Sequence, residues 1–178
     1  ISFEPQRIIF QQLCANVFVN GLDNVYAFNL AIGNENGLIT IEKPNYFNEG
    51  PVNFGNVHVG VQDNYDFIEI KSLDTFDLDN VSVLKIDVQG YEKQVLLGAK
   101  ETILKNKPII FLEVESDQLE LYGENDNSVF EIILSYDYVF ARLNDGMSYQ
   151  TNSGLCLDFV AIPKDRVNER EWKTIFEY

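Results

Sequence analysis

Apolar residues recur along this chain in two rhythms. Phe10, Leu13, Cys14 and Val17 share one face of a 3.6-residue spiral, which predicts an amphipathic helix. Pro5 suits its first turn and Gly21 its end. Ile1 to Glu4 reads as the end of a strand, and Val25 to Ile32, closed by Gly33-Asn34, as a second strand. Short apolar runs at Val81 to Val88, Ile109 to Val114, Tyr138 to Leu143 and Leu155 to Ile162 predict four more. Helical spacing returns from Tyr91 to Leu104, where Val95, Leu96, Ala99 and Ile103 face a sheet. Ser128-Val129-Phe130-Glu131 matches a capping box and opens a short helix to about Tyr136. Arg166 to Tyr178 reads as a terminal helix with Trp172 packing back.

The order is therefore βα, β, excursion, βα, βα, ββ. Alternating strands and helices imply a parallel sheet. The last two strands, separated by the turn residues Asp145-Gly146, should form an antiparallel pair at its edge. The excursion, Gly37 to Phe76, is rich in Asn, Gly and aromatic residues. Its alternating runs Leu38 to Ile41 and Phe67 to Ile70 predict short strands. Tyr46, Phe47, Phe54 and Tyr65 in it could stack on a sugar or serve as core aromatics.

A length of 178 residues suits a single domain over 1–178, with 37–76 inserted between strands. The net charge of −15 repels nucleic-acid phosphates and anionic lipid, so neither a nucleic-acid nor a membrane partner is expected. No apolar run is long enough to span a membrane, and no secretory signal is visible. Cys14 and Cys156 have no metal-ligand spacing and sit in apolar contexts, as reduced core residues of a cytoplasmic protein would. His58, the one histidine, lies in a Gly/Asn/Val-rich segment typical of structural positions.

The chemistry concentrates at strand ends, where ligands collect in open α/β sheets. Val83 to Ile86 reads as a buried strand that stops at Asp87, turns on Gly90 and becomes a helix at Tyr91-Glu92. Asp87 could orient or deprotonate a hydroxyl, ligate a metal, or merely cap the helix. Glu92 fits either a first-turn helix acid or a supporting partner, and Lys85 could pair with a nearby acid. Glu113 and Glu115 end the next strand, making an acidic pocket for a general base or a divalent cation. Asp74 reads as a turn residue. Glu4, between a strand and a helix, could hold the two hydroxyls of a ribose or favour the helix dipole.

Several segments occur together in a familiar order: Phe3-Glu4-Pro5, Ala31-Ile32-Gly33, Ser72-Leu73-Asp74, Lys85-Ile86-Asp87-Val88-Gln89-Gly90-Tyr91-Glu92, Val95-Leu96-Leu97-Gly98-Ala99, and Lys107-Pro108 to Glu113. Over residues 1 to 163 the chain resembles the FkbM-type family of S-adenosylmethionine-dependent methyltransferases. The resemblance implies a class I methyltransferase fold, Rossmann-like, with three αβα layers and a mostly parallel sheet whose last strand is antiparallel. It implies methyl transfer to a hydroxyl of a sugar or small natural product. Glu4 would bind the cofactor ribose, Ala31 and Ile32 would line the adenine pocket, and Asp87 would sit by the methyl group and the acceptor. The family's glycine-rich first strand would lie upstream of Glu4, so this chain is expected to lack it and to bind cofactor weakly. Direct pairing of the Glu4 and Asp87 strands would mean that the sheet has closed over that gap. Two rivals stay open: a non-catalytic methyltransferase-like binding module, and a nicotinamide-dependent oxidoreductase that would also use Glu4.

Overall fold

A computed structural model describes residues 1–44, 55–142, 149–151 and 154–167. The chain forms two compact units, Ile1–Ser72 and Leu73–Tyr178.

In the first unit, β1 (Ser2–Phe3) pairs in parallel with β2 (Ala27–Phe28), and α1 (Arg7–Val19) connects them. A second sheet contains β3 (Ala31–Ile32), β4 (Gly37–Glu42) and β5 (Tyr65–Lys71), in the order β3-β5-β4. The strand expected over Val25 to Ile32 is thus split in two. Asn29 causes the break: its Nδ2 donates to the carbonyls of Glu4 (2.8 Å) and Pro5 (3.0 Å), tying the chain to the β1–α1 turn. The excursion is a hairpin, with β4 antiparallel to β5. Leu30, Ala31, Ile41, Val59 and Ile70 form the unit's buried core.

Helix α1 buries none of its residues. Cys14, read from the sequence as a core thiol, is exposed, because this face of α1 lines an open groove with Val17, Phe18 and Leu22. The side chain of Cys156 lies outside the described residues. So do Tyr46, Phe47, Phe54, Asp145-Gly146 and the segment containing Trp172. Tyr65 is partly exposed and meets Phe67 edge to face.

The second unit is built on a mixed sheet. In order it contains β6 (Val83–Ile86), α2 (Glu92–Gly98), α3 (Lys100–Asn106), β7 (Ile109–Glu115), α4 (Ser116–Glu120), α5 (Asp126–Ser135), β8 (Tyr138–Arg142), β9 (Tyr149–Thr151) and β10 (Gly154–Pro163). The strand order is β6-β7-β10-β8, with β9 on β10. Only β6 and β7 run parallel; β10 is antiparallel to β7, β8 and β9. The expectation of a mostly parallel sheet is corrected here. β10 is no edge strand: Phe159, Val160, Ala161 and Ile162 are buried on both faces, which seats it between β7 and β8.

β6 is likewise not buried on both faces. Ile86 is buried, but Val83, Lys85 and Asp87 alternate with it and are exposed. Among the described residues β6 pairs with β7, and β1 with β2.

The helix expected over Tyr91 to Leu104 divides at Ala99 into α2 and α3, and its predicted inward residues Val95, Leu96, Ala99 and Ile103 are all buried. Asp74 does more than turn the chain. From a 3₁₀ turn (Leu73–Phe76), its carboxylate accepts from the Glu101 and Thr102 amides and the Thr102 hydroxyl, capping α3 from outside. The capping box of α5 sits three residues earlier than the sequence suggested: Asn125 accepts from the Ser128 amide, and Ser128 Oγ accepts from the Asn125 amide. Reciprocal bonding by Asn and Ser fixes the start there, with Ser128 as the third helical residue.

Candidate functional site

The carboxyl ends of β6 and β7 place acids side by side. Ile86 pairs with Leu112 in parallel register, so the next residues, Asp87 and Glu113, are neighbours. Their carboxyls share a hydrogen bond, which needs one proton between two acids. On β10, Asp158 lies opposite Glu113. One row across three strands therefore reads Asp87, Glu113, Asp158. Lys85, two residues before Asp87 on the same face of β6, forms an ion pair with Asp87.

This arrangement sets the charge of Asp87. Burial pushes its carboxyl up, but hydrogen bonds from Lys85 and Glu113 outweigh that, holding it below the usual aspartate range. Lys85 is held up in return, first by its bond to Asp87 and further by the charges of Glu113 and Asp158. Asp87 is thus an ionised acceptor that remains partly open to solvent. It does not cap the following helix: the N-cap position of α2 is Tyr91, with no side-chain cap.

The turn from Asp87 to Glu92 is fixed from behind. Gly90 has φ +76°, and a Cβ there would lie 2.2 Å from the carbonyl oxygen of Gln118. Its glycine is required by the turn and by the close approach of α4, rather than by a ligand. Tyr91 meets Tyr122 edge to face at 5.3 Å, and Lys93 binds both oxygens of Glu124 at 2.7 Å. α4 and the residues after it form a clamp on the turn.

Glu92 is 1% exposed. Its Oε1 accepts from the Gly90 amide at 3.2 Å, and its Oε2 is buried without a hydrogen-bond partner. Burial first, and then the charges of Glu115 and Glu113, push its pKa up to about 8 against the pull of backbone N–H groups. Its neutral form is therefore favoured well above the ordinary glutamate range.

Of the residues singled out from sequence, Lys85, Asp87, Glu92, Glu113 and Glu115 come together. Glu4, Ala31 and Ile32 belong to the first unit. Glu4 is half-buried at the end of β1, its Oε1 accepting from the Gln6 amide at 2.7 Å, and burial raises its pKa against that bond. Ala31 is 5% exposed and Ile32 half-buried on β3. His58 pairs with Glu42 at 3.3 Å on the hairpin, a structural role. Among the described residues no group of three or more His, Cys, Asp or Glu side chains is arranged to hold a metal ion.

Two participants were missed in the sequence: Asp158, and α4 with its Gln118. Asp158 left a signal, as the lone acid in the apolar run Leu155 to Ile162. The five residues of α4 are too few for periodicity to mark.

The second unit is a mixed α/β unit with acids near the carboxyl ends of adjacent parallel strands, where ligands collect in open α/β sheets. The particular family follows from comparison. The model of the methyltransferase FkbM domain matches residues 1–140, and the chain belongs to that family. Among solved structures it is similar to methyltransferase FkbM from Methylobacillus flagellatus KT, with 20% identity and a TM-score of 0.57. That match covers 88% of this chain and 35% of the other, so the chain spans about a third of its length. At this identity the likeness speaks for the fold. No curated protein matches the chain. Among the described residues no helix is long and apolar enough to cross a membrane.

Proposed function

We propose that this chain forms part of an S-adenosylmethionine-dependent methyltransferase that methylates a hydroxyl of a sugar or small natural product. The observation that carries this reading is the ionised Asp87, held between Lys85 and Glu113 at the ends of two parallel strands. Family membership supplies the reaction class. The residues of the first unit fit the cofactor: Glu4 offers a half-buried carboxylate at a strand end, with Oε2 and spare lone pairs for a ribose diol. Ala31 and Ile32 would line the adenine side.

Bound S-adenosylmethionine would supply an electrophilic methyl group on a sulfonium. Asp87 accepts a hydrogen bond from the acceptor hydroxyl and orients its oxygen for in-line attack. The Asp87–Glu113 pair would take up the proton that the acceptor hydroxyl gives up on methylation. Lys85 keeps Asp87 ionised and ready to accept. The acidic surface fits a small neutral acceptor better than a nucleic acid.

The test is methyl transfer by the complete protein from labelled S-adenosylmethionine. Asp87→Ala is expected to abolish turnover; undiminished turnover would remove Asp87 from this role. Calorimetric titration with the cofactor separates an enzyme from a non-catalytic relative, which would bind none.

A further inference from the structure

Glu92 is the buried group that this mechanism leaves unused. Its surroundings are acidic on one side and tightly packed on the other. Glu113 and Glu115 are the acids that face it from β7, and they add to burial in raising its pKa. Lys93, next to it in sequence, is engaged by both oxygens of Glu124. Within the turn, Glu92 Oε1 binds the Gly90 amide. On the other side of Gly90 the backbone of Gln118 leaves no room for even a methyl group. The turn that carries Asp87 is therefore gripped from two sides, by α4 and by the Glu92 carboxyl.

We propose that Glu92 is a positioning residue of the Asp87 site and works as a neutral acid, holding the Val88–Gly90 turn while adding no further negative charge beside the acids Glu113 and Glu115. The proposal rests on the assignment of Asp87 to the reaction. Ionised, Glu92 would bring a buried charge with an unpartnered oxygen against two acids, and such a group is driven toward water. The turn would follow it, since Oε1 is bonded to Gly90. Asp87 would then lose its place beside Glu113. The group's folded-state pKa lies above its ordinary value. Its stabilising contribution is therefore complete at acid pH, falls above the unfolded value of about 4.5, and is gone beyond about 8.

Two measurements test this, and only one depends on the methyltransferase reading. In the 178-residue chain with ¹³C-labelled glutamate, the Glu92 carboxyl resonance should titrate with a midpoint near pH 8. The Glu92→Gln variant should keep the Gly90 environment of the neutral wild type at every pH, and Glu92→Ala should lose it. Titration in the ordinary carboxylate range, or a Glu92→Gln spectrum matching Glu92→Ala, would overturn the proposal. In the complete protein, Glu92→Gln should keep wild-type turnover and abolish its decline above pH 8, while Glu92→Ala loses about 10²-fold in kcat with KM little changed. Equal loss in both variants would also overturn it. If wild-type turnover is absent while the resonance titrates as expected, the reaction assigned to Asp87 fails and the protonated Glu92 stands.

Discussion

Gly90→Ala probes the packing on which the site depends. The added Cβ would meet the Gln118 carbonyl oxygen at 2.2 Å, its carbon at 2.5 Å and Tyr122 Cδ2 at 3.0 Å. An ordinary carbon–oxygen contact is at least about 3.3 Å, so α4 or the turn must retreat by about 1 Å. The two nearest of these atoms belong to the helical backbone of Gln118 and cannot swing away. Overpacking of this kind costs about 1–3 kcal/mol. Alanine at φ +76° adds about 1–2 kcal/mol. The expected loss is about 2–5 kcal/mol. Gly123→Ala is the internal control. Gly123 has φ +71°, but a Cβ there meets nothing within 4 Å, so only the conformational term, about 1–2 kcal/mol, applies. Urea unfolding of both variants, followed by circular dichroism, gives the two values directly. If Gly90→Ala costs no more than Gly123→Ala, the close approach of α4 is not what requires glycine, and the clamp is refuted.

Asp74→Ala removes the acceptor of three bonds at the start of α3 and should cost about 0.5–2 kcal/mol in the same assay; stability equal to wild type would show that water caps α3 as well. Lys85→Met should raise the Asp87 pKa, because the partner that outweighs burial is gone. Asp87 has a depressed folded-state pKa, so its contribution to stability is present above its unfolded value and is lost as pH falls through the folded one. The variant should therefore lose that contribution at a higher pH than wild type, as read from carboxyl chemical shifts. An unmoved Asp87 titration would assign its low pKa to Glu113 alone.

The alternation of strands and helices was legible in the second unit because each apolar run is short and each helix has a clear inward face. Val95, Leu96, Ala99 and Ile103 were identified by spacing alone and are all buried. The site was legible where local sequence carries it: Asp87 ends a strand, Gly90 turns it and Glu92 follows. The split of Val25 to Ile32 was not, since it depends on Asn29 reaching Glu4 and Pro5, more than 20 residues away. The exposure of Cys14 was not either, for periodicity finds the apolar face of a helix without telling what covers it.

By itself the sequence determined that Asp87, Glu113 and Glu4 stand at strand ends, because strand patterns and their stops are local properties. The order of strands belongs to tertiary structure. Only that order puts Asp158 opposite Glu113, makes the sheet mixed and seats β10 inside it. The protonation of Glu92 was likewise decided in three dimensions. A glutamate in the first turn of a helix is ordinarily a solvated anion. This one is pushed toward its neutral form because folding closes it between the Gly90 turn and two acids of the neighbouring strand, and charge is costly where water cannot follow.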